Sequence, residues 1–163
     1  QVVVTGLTRD AHKLELAKRF GADDTLMVDE DTDVSGALRE MTGGGAEVIV
    51  DTTPDAPQSF RHAIEVAVRG SRIVLIGLKG PRSVDGIYPD DITHKELLIR
   101  GVIATPFFEF ENAIRVLESR RYALEEMHTH SFDVTEAERA LQVFAGGGDQ
   151  ERPAVHVAIV PQP

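Results

Sequence analysis

Residues 46–80, AEVIVDTTPDAPQSFRHAIEVAVRGSRIVLIGLKG, decide the fold. The stretch opens on a short apolar run closed by Asp51 and two threonines. Residues 56–70 then set Phe60, Ala63, Ile64, Ala67 and Val68 on one face at helical spacing, with Gly70 as the stop. A second apolar run, SRIVLIG, follows at once and ends in Gly77. Strand, helix and strand joined this tightly make a βαβ unit. Strands apolar along their whole length belong to a parallel sheet that helices cover on both faces.

The alternation extends outward in both directions. QVVVTG at 1–6 is a β-branched strand ending in Gly6. Leu14, Ala17 and Phe20 follow at near-helical spacing, with Gly21 as the stop. TLMVD at 25–29 is the next strand. Val34, Ala37, Leu38 and Met41 form one face of a short helix that glycines 43–45 end. Downstream of the central unit, a polar stretch with Pro81, Gly86 and Pro89 leads to a strand-like run, ELLIRGVIA, at 96–104. Phe110, Ala113, Ile114 and Leu117 share a helical face. Thr135 and Glu138 form a T-x-x-E capping box before a helix that runs to glycines 146–148. AVHVAIVP at 154–161 reads as a final strand. No linker, repeat or low-complexity tract divides residues 1–163. The pattern predicts an α/β fold with a Rossmann-like doubly wound parallel sheet.

Composition narrows the function. With 42% hydrophobic and 27% charged residues, the chain is ordinary for a soluble globular protein. A formal net charge of −10 argues against nucleic acid as a partner, because phosphate contacts need clustered cations. The absence of cysteine excludes disulfides and thiolate metal sites within these residues. No apolar run approaches the roughly 20 residues of a membrane span, and no signal peptide precedes the first strand. The expectation is a cytoplasmic protein with no membrane partner.

Ligands of open α/β sheets bind beyond the carboxyl ends of the strands. Those ends are Gly6-Leu7-Thr8-Arg9, Asp51-Thr52-Thr53, Gly77-Leu78-Lys79-Gly80 and Ile103-Ala104. Each also reads as a plain turn. Gly77 has no side chain, so a flat ring can approach its backbone. Gly6 stands where a dinucleotide-binding sheet usually carries an acid for the ribose hydroxyls. Small Gly6, with Arg9 and Lys13 behind it, admits the 2′-phosphate of NADP as well as the bare ribose of NAD. The alternative for Arg9 and Lys13 is a solvated helix start.

Two motifs are decoys. Asp29 to Glu40 matches a calcium loop at positions one, three, five and twelve, but Val34 replaces the required Gly and a strand precedes it. It reads as a solvated acidic loop. His128 and His130 suggest a metal, but no carboxylate or cysteine sits at ligand spacing beside them, so they are not read as a metal site. The triple glycines follow helices rather than precede them and are stops. There is no G-x-G-x-x-G anywhere in the chain.

Taken together in order and spacing, VVVTGLTRDAHKLELAKRFGAD, residues 46–78, THKELLIRGV and THSFDVTEAERALQVFAGG make the whole chain resemble the zinc-type medium-chain alcohol dehydrogenases. The likeness is to the alcohol, polyol and threonine branch. It implies a partial NAD(P)-binding domain, with the catalytic zinc domain, the first strand and the glycine loop lying outside these residues. Zinc serves the intact family enzyme, and the chain holds no ligands for it. By position, Gly6, Thr8 and Arg9 would meet the adenosine ribose. Thr52 and Thr53 would flank the adenosine or bridging part. Ile76, Gly77, Leu78, Ile103 and Ala104 would meet the nicotinamide, and His156 the pyrophosphate.

The resemblance further implies an alcohol or polyol substrate, an isolated chain without activity, and a homo-oligomer joined through the strand edge at 97–104. In the family's strand order the first strand lies between the strands at 1–6 and 46–51. Its absence would leave a slot of about 9.6 Å lined by unpaired backbone. Two rivals stand beside this reading: a zinc-free quinone or enoyl reductase of the same superfamily, and a non-enzymatic α/β binding module.

Overall fold

A computed structural model describes residues 1–103, 105–147 and 153–161. Strand β1 (Val3–Leu7) and helix α1 (Ala11–Arg19) lead to β2 (Asp24–Val28). The two strands pair in parallel, from Val3 opposite Asp24 to Leu7 opposite Val28. Helix α1 buries Leu14 and Leu16. It ends in a Schellman motif: Gly21, at φ 102°, donates to the Lys18 carbonyl, and Ala22 donates to that of Ala17.

Helix α2 (Val34–Met41) begins on Asp33, whose carboxylate accepts from the Gly36 amide at 2.9 Å. One acid of the calcium-like loop is thus a helix cap, and Val34 at its sixth position starts the helix and is buried. Strands β3 (Ala46–Asp51), β4 (Ala67–Leu75) and β5 (Leu98–Gly101) form a parallel three-stranded sheet in that order. Helices α3 (Gln58–Val66) and α4 (Pro89–His94) make the crossovers. The core lies here: Ala63, Ile64, Ala67 and Ile73 are buried together, with Ile49, Phe60, Leu75, Ile92 and Ile99 packed against them.

Local readings differ from the sequence pattern at α3, at α4 and at the start of α6. Helix α3 stops at Val66, four residues before Gly70, because Ala67 turns extended and pairs with Ala46. Its last carbonyls are taken by cations from other elements. The Lys95 ammonium donates to those of Ile64 at 2.7 Å and Glu65 at 3.0 Å, and Arg39 donates to Glu65 at 2.7 Å. Burial, reinforced by the Arg39 guanidinium, lowers the Lys95 ammonium below its ordinary value, while Asp91 and Glu65 oppose the shift. The polar stretch before β5 contains α4, started by Pro89, whose fixed φ suits the first helical position, with Asp90 and Asp91 in its first turn.

Helix α5 (Phe107–Glu118) follows, with no buried residue. Strands β6 (His128–Phe132) and β7 (His156–Ile159) then form a separate parallel pair, with α6 (Ala137–Gln142) against them. The capping box at Thr135 and Glu138 does not form. Asp133 takes its place, accepting from the Thr135 amide at 2.9 Å and hydroxyl at 2.7 Å, so a 3₁₀ turn precedes α6. Every strand pairing among the described residues is parallel, and the fold class is α/β. The strands make three sheets rather than one, since β1 and β3 do not pair.

Candidate functional site

Strands β3, β4 and β5 end side by side, so their exit backbones meet. Gly77 and Ile76 both donate to the Asp51 carbonyl, at 3.1 and 2.8 Å. Asp55 donates to the Leu78 carbonyl at 2.9 Å, and Val102 to that of Leu75 at 2.9 Å. Gly77 is required at this point: a Cβ there would overlap the backbone of Thr52 and Thr53. Its bare Cα therefore serves the neighbouring loop first, and only through that packing leaves the strand ends open.

Beyond these ends lies an open hollow of about 280 Å³, lined by Leu75, Ile76, Gly77, Leu78, Lys79, Val102 and Ile103. Its wall is almost wholly apolar. Ile76, Leu78 and Ile103 remain exposed around it. The structure thus gathers Ile76, Gly77, Leu78 and Ile103, with Thr52 and Thr53 abutting Gly77. Ala104 lies outside the described residues.

A polar lock holds the two loops behind the hollow. Asp51 is buried at the end of β3, and its carboxylate accepts from the Thr53 amide at 3.0 Å and the Ser59 hydroxyl at 2.8 Å. Lys79 donates to Asp51 Oδ1 at 2.9 Å, to Ser59 Oγ at 2.9 Å and to the Thr53 carbonyl, and its ammonium also lies 2.9 Å from Asp51 Oδ2. All three ammonium protons have acceptors, so the pair is buried with its hydrogen bonds satisfied. Sequence reasoning missed Asp51, Ser59 and Lys79 as a unit. An acid closing an apolar strand was the available signal, but its partner comes from 28 residues away.

Gly6, Thr8 and Arg9 sit at the end of β1, in the other sheet. A Cβ on Gly6 would come within 3.0 Å of Leu14 Cδ2, so this glycine packs against α1. The Thr8 hydroxyl donates to Asp29 at the end of β2. Arg9 is 81% exposed, and its Nε is 3.9 Å from Asp10, whose carboxylate also holds the Lys13 ammonium at 2.6 Å.

His156 is placed elsewhere. It stands on β7, with its Nδ1 3.2 Å from that of His128, whose Nε2 meets Ser131 Oγ at 2.8 Å. It is not among the residues lining the hollow. His130 stacks on Phe132, and a register irregularity separates it from His128. The described residues do not fit a zinc site, since nowhere do three His, Asp or Glu side chains gather as a metal needs, and the sequence has no cysteine.

A parallel α/β sheet with a hollow at adjoining strand ends has its opening where open α/β folds take their ligands. Residues 1–119 match the profile of the zinc-binding dehydrogenases, and the chain belongs to that family. It is 37% identical over 162 residues to a probable alcohol dehydrogenase of Mycobacterium tuberculosis, covering 98% of this chain and 44% of that protein. An erythritol/L-threitol dehydrogenase of Mycolicibacterium smegmatis is 30% identical over 161 residues, covering 97% of this chain and 42% of its own length. Among solved structures, an Escherichia coli CFT073 alcohol dehydrogenase complexed with NADH superposes with a TM-score of 0.81 at 25% identity, covering 98% of this chain and 44% of that one. A putative zinc-binding dehydrogenase from Sinorhizobium meliloti 1021, bound to NADP, gives 0.80 at 23% identity, covering 98% and 45%. The chain spans less than half the length of these relatives.

Proposed function

We propose that the strand ends of this chain hold a nicotinamide dinucleotide, as the cofactor-holding part of a dehydrogenase acting on an alcohol or polyol. One observation carries the reading: the exits of β4 and β5 frame an open apolar hollow with Gly77 at its floor. An apolar slot with few polar groups suits the flat face of a nicotinamide ring. Thr52 and Thr53 then flank the bridging part of the cofactor, and Gly6, Thr8 and Arg9 its adenosine end. The names of the relatives support the substrate class. His156, engaged with His128 on another sheet, is the least supported of these contacts.

The work of this chain is orientation, presenting one face of the ring to a substrate carbon. When zinc is bound in the family's enzymes, it acts as a Lewis acid on the alcohol oxygen. The described residues do not fit it, and no step here passes through it. The open edges of β1 and β3 are read as flanking one further parallel strand from the rest of a longer polypeptide. Each of the two strands has a single partner, β2 and β4 respectively, which supports this. The outer edge of β5, with Leu98 exposed, is read as the place where a second copy adds its strand.

Binding of NADH, followed by its own fluorescence, tests the reading. Ile103→Asp puts a carboxylate into the apolar hollow, where the uncharged dihydronicotinamide ring cannot pair with it, and is expected to weaken binding by about tenfold, an unpaired polar group buried by a ligand costing roughly 1–3 kcal/mol. Unchanged binding overturns the assignment. No alcohol-dependent NADH formation is expected from the chain alone, and turnover would overturn its role as a part.

A further inference from the structure

The corner at the ends of β1 and β2 holds two acids, Asp10 and Asp29, beside the two cations that its sequence offers. Gly6 carries no acid, and a Cβ there would come within 3.0 Å of Leu14, which would have to give by a few tenths of an ångström. The two cations behind it are solvent-exposed and share one acid as a neighbour. Lys13 is held by Asp10 at 2.6 Å, and the same carboxylate faces Arg9.

A different acid occupies the corner. Leu7 and Val28 are the last paired residues of β1 and β2, so Thr8 and Asp29 emerge opposite one another. Asp29 is fixed there from two sides. Its Oδ1 accepts from the Thr8 hydroxyl, and its amide donates to Thr32 Oγ at 2.8 Å. Oδ2 has no hydrogen-bond partner among the described residues, and both Asp29 and Thr8 are exposed. The carboxylate that a dinucleotide-binding sheet usually carries on one strand is here supplied by the neighbouring strand, with a threonine to orient it. Such a group accepts from ribose hydroxyls and repels a 2′-phosphate.

We infer that Asp29, oriented by Thr8, sets the cofactor preference of this corner, favouring the unphosphorylated ribose of NAD(H) over the 2′-phosphate of NADP(H). The inference rests on the dinucleotide reading of the strand ends. It reverses the admission of NADP that Gly6, Arg9 and Lys13 offer when taken as sequence alone.

The test uses adenosine-end probes on the isotope-labelled chain, with amide shifts at residues 6–9 as the readout. The wild-type chain is expected to bind 5′-AMP about tenfold more tightly than 2′,5′-ADP, the scale of a like-charge contact at a surface. Asp29→Asn keeps the shape and an acceptor for Thr8, so folding is preserved, and it is expected to erase that preference. Asp10→Asn frees Arg9 and Lys13 and is expected to strengthen 2′,5′-ADP alone. If 2′,5′-ADP binds the wild type as well as 5′-AMP, or Asp29→Asn leaves the ratio unmoved, the inference fails and the dinucleotide site stands. If neither probe shifts residues 6–9, the adenosine reading itself falls, and the inference with it.

Discussion

Helices α3 and α5 carry the same kind of apolar stripe and meet opposite surroundings. In α3, Ala63, Ile64 and Val66 are buried, and Ile64 reaches 2% exposure against the β3–β4–β5 sheet. In α5, Phe108, Phe110, Ile114 and Leu117 are all more than half exposed. Both helices were legible from periodicity, because a stripe at i, i+3 and i+4 reports what a helix needs to bury. It does not report whether the partner lies within the same residues. A stripe of this size left in water marks a surface that something covers.

The largest expected effect lies on the filled side. Lys79→Met strands the buried Asp51 carboxylate and is expected to cost about 3–5 kcal/mol. Equilibrium denaturation reads this directly, and Asp51→Asn in the same background should recover part of the loss. A stability unchanged by Lys79→Met would mean that the pair does not lock the two loops.

Ile64→Ala comes next, with an expected loss of about 2–5 kcal/mol for a packed aliphatic side chain. The matched change on α5, Leu117→Ala, should stay within about 0.5 kcal/mol in this chain. In a longer polypeptide that covers α5, the Leu117 variant should approach the Ile64 one. Equal losses in the present chain would erase the contrast between the helices.

The smallest effect is a pH dependence. Burial lowers the His62 imidazole below its ordinary 6.5, reinforced by Arg61 and opposed by Glu65 and Asp33. A depressed value means that the folded state prefers the neutral ring. Its stability is therefore fully present above 6.5 and is lost as pH falls through the lowered value. Melting temperature should drop on acidification from pH 7.5 to 5.5, and His62→Gln should flatten that part of the drop. An undiminished drop in the variant would assign it elsewhere.

How much the sequence disclosed follows the same divide between local need and distant partner. Strand ends were readable because Gly6, Asp51 and Gly77 interrupt apolar runs, and the structure brings Ile76 to Leu78 beside Ile103. The lysine of THKELLIRGV lies in a stretch that resembles the family, and its ammonium caps the last turn of α3, a contact between separate elements. Helix α4 was missed because six residues are too few to show a period, so Pro89 and two acids were its only signals. Asp29 stood inside a calcium-like pattern, and only the β1–β2 register turns it toward Thr8. Contacts between elements depend on register and crossing, which no local window contains.

The central claim is that the carboxyl ends of β1, β3, β4 and β5 together form a dinucleotide site. Amide chemical shifts of the labelled chain, titrated with NADH, test it most directly. The account predicts shifts at Gly6 to Arg9, Thr52 and Thr53, Ile76 to Leu78 and Ile103, with His156 the weakest responder. Shifts confined to the His128 and His156 strands, or none at any of the strand ends, would contradict it.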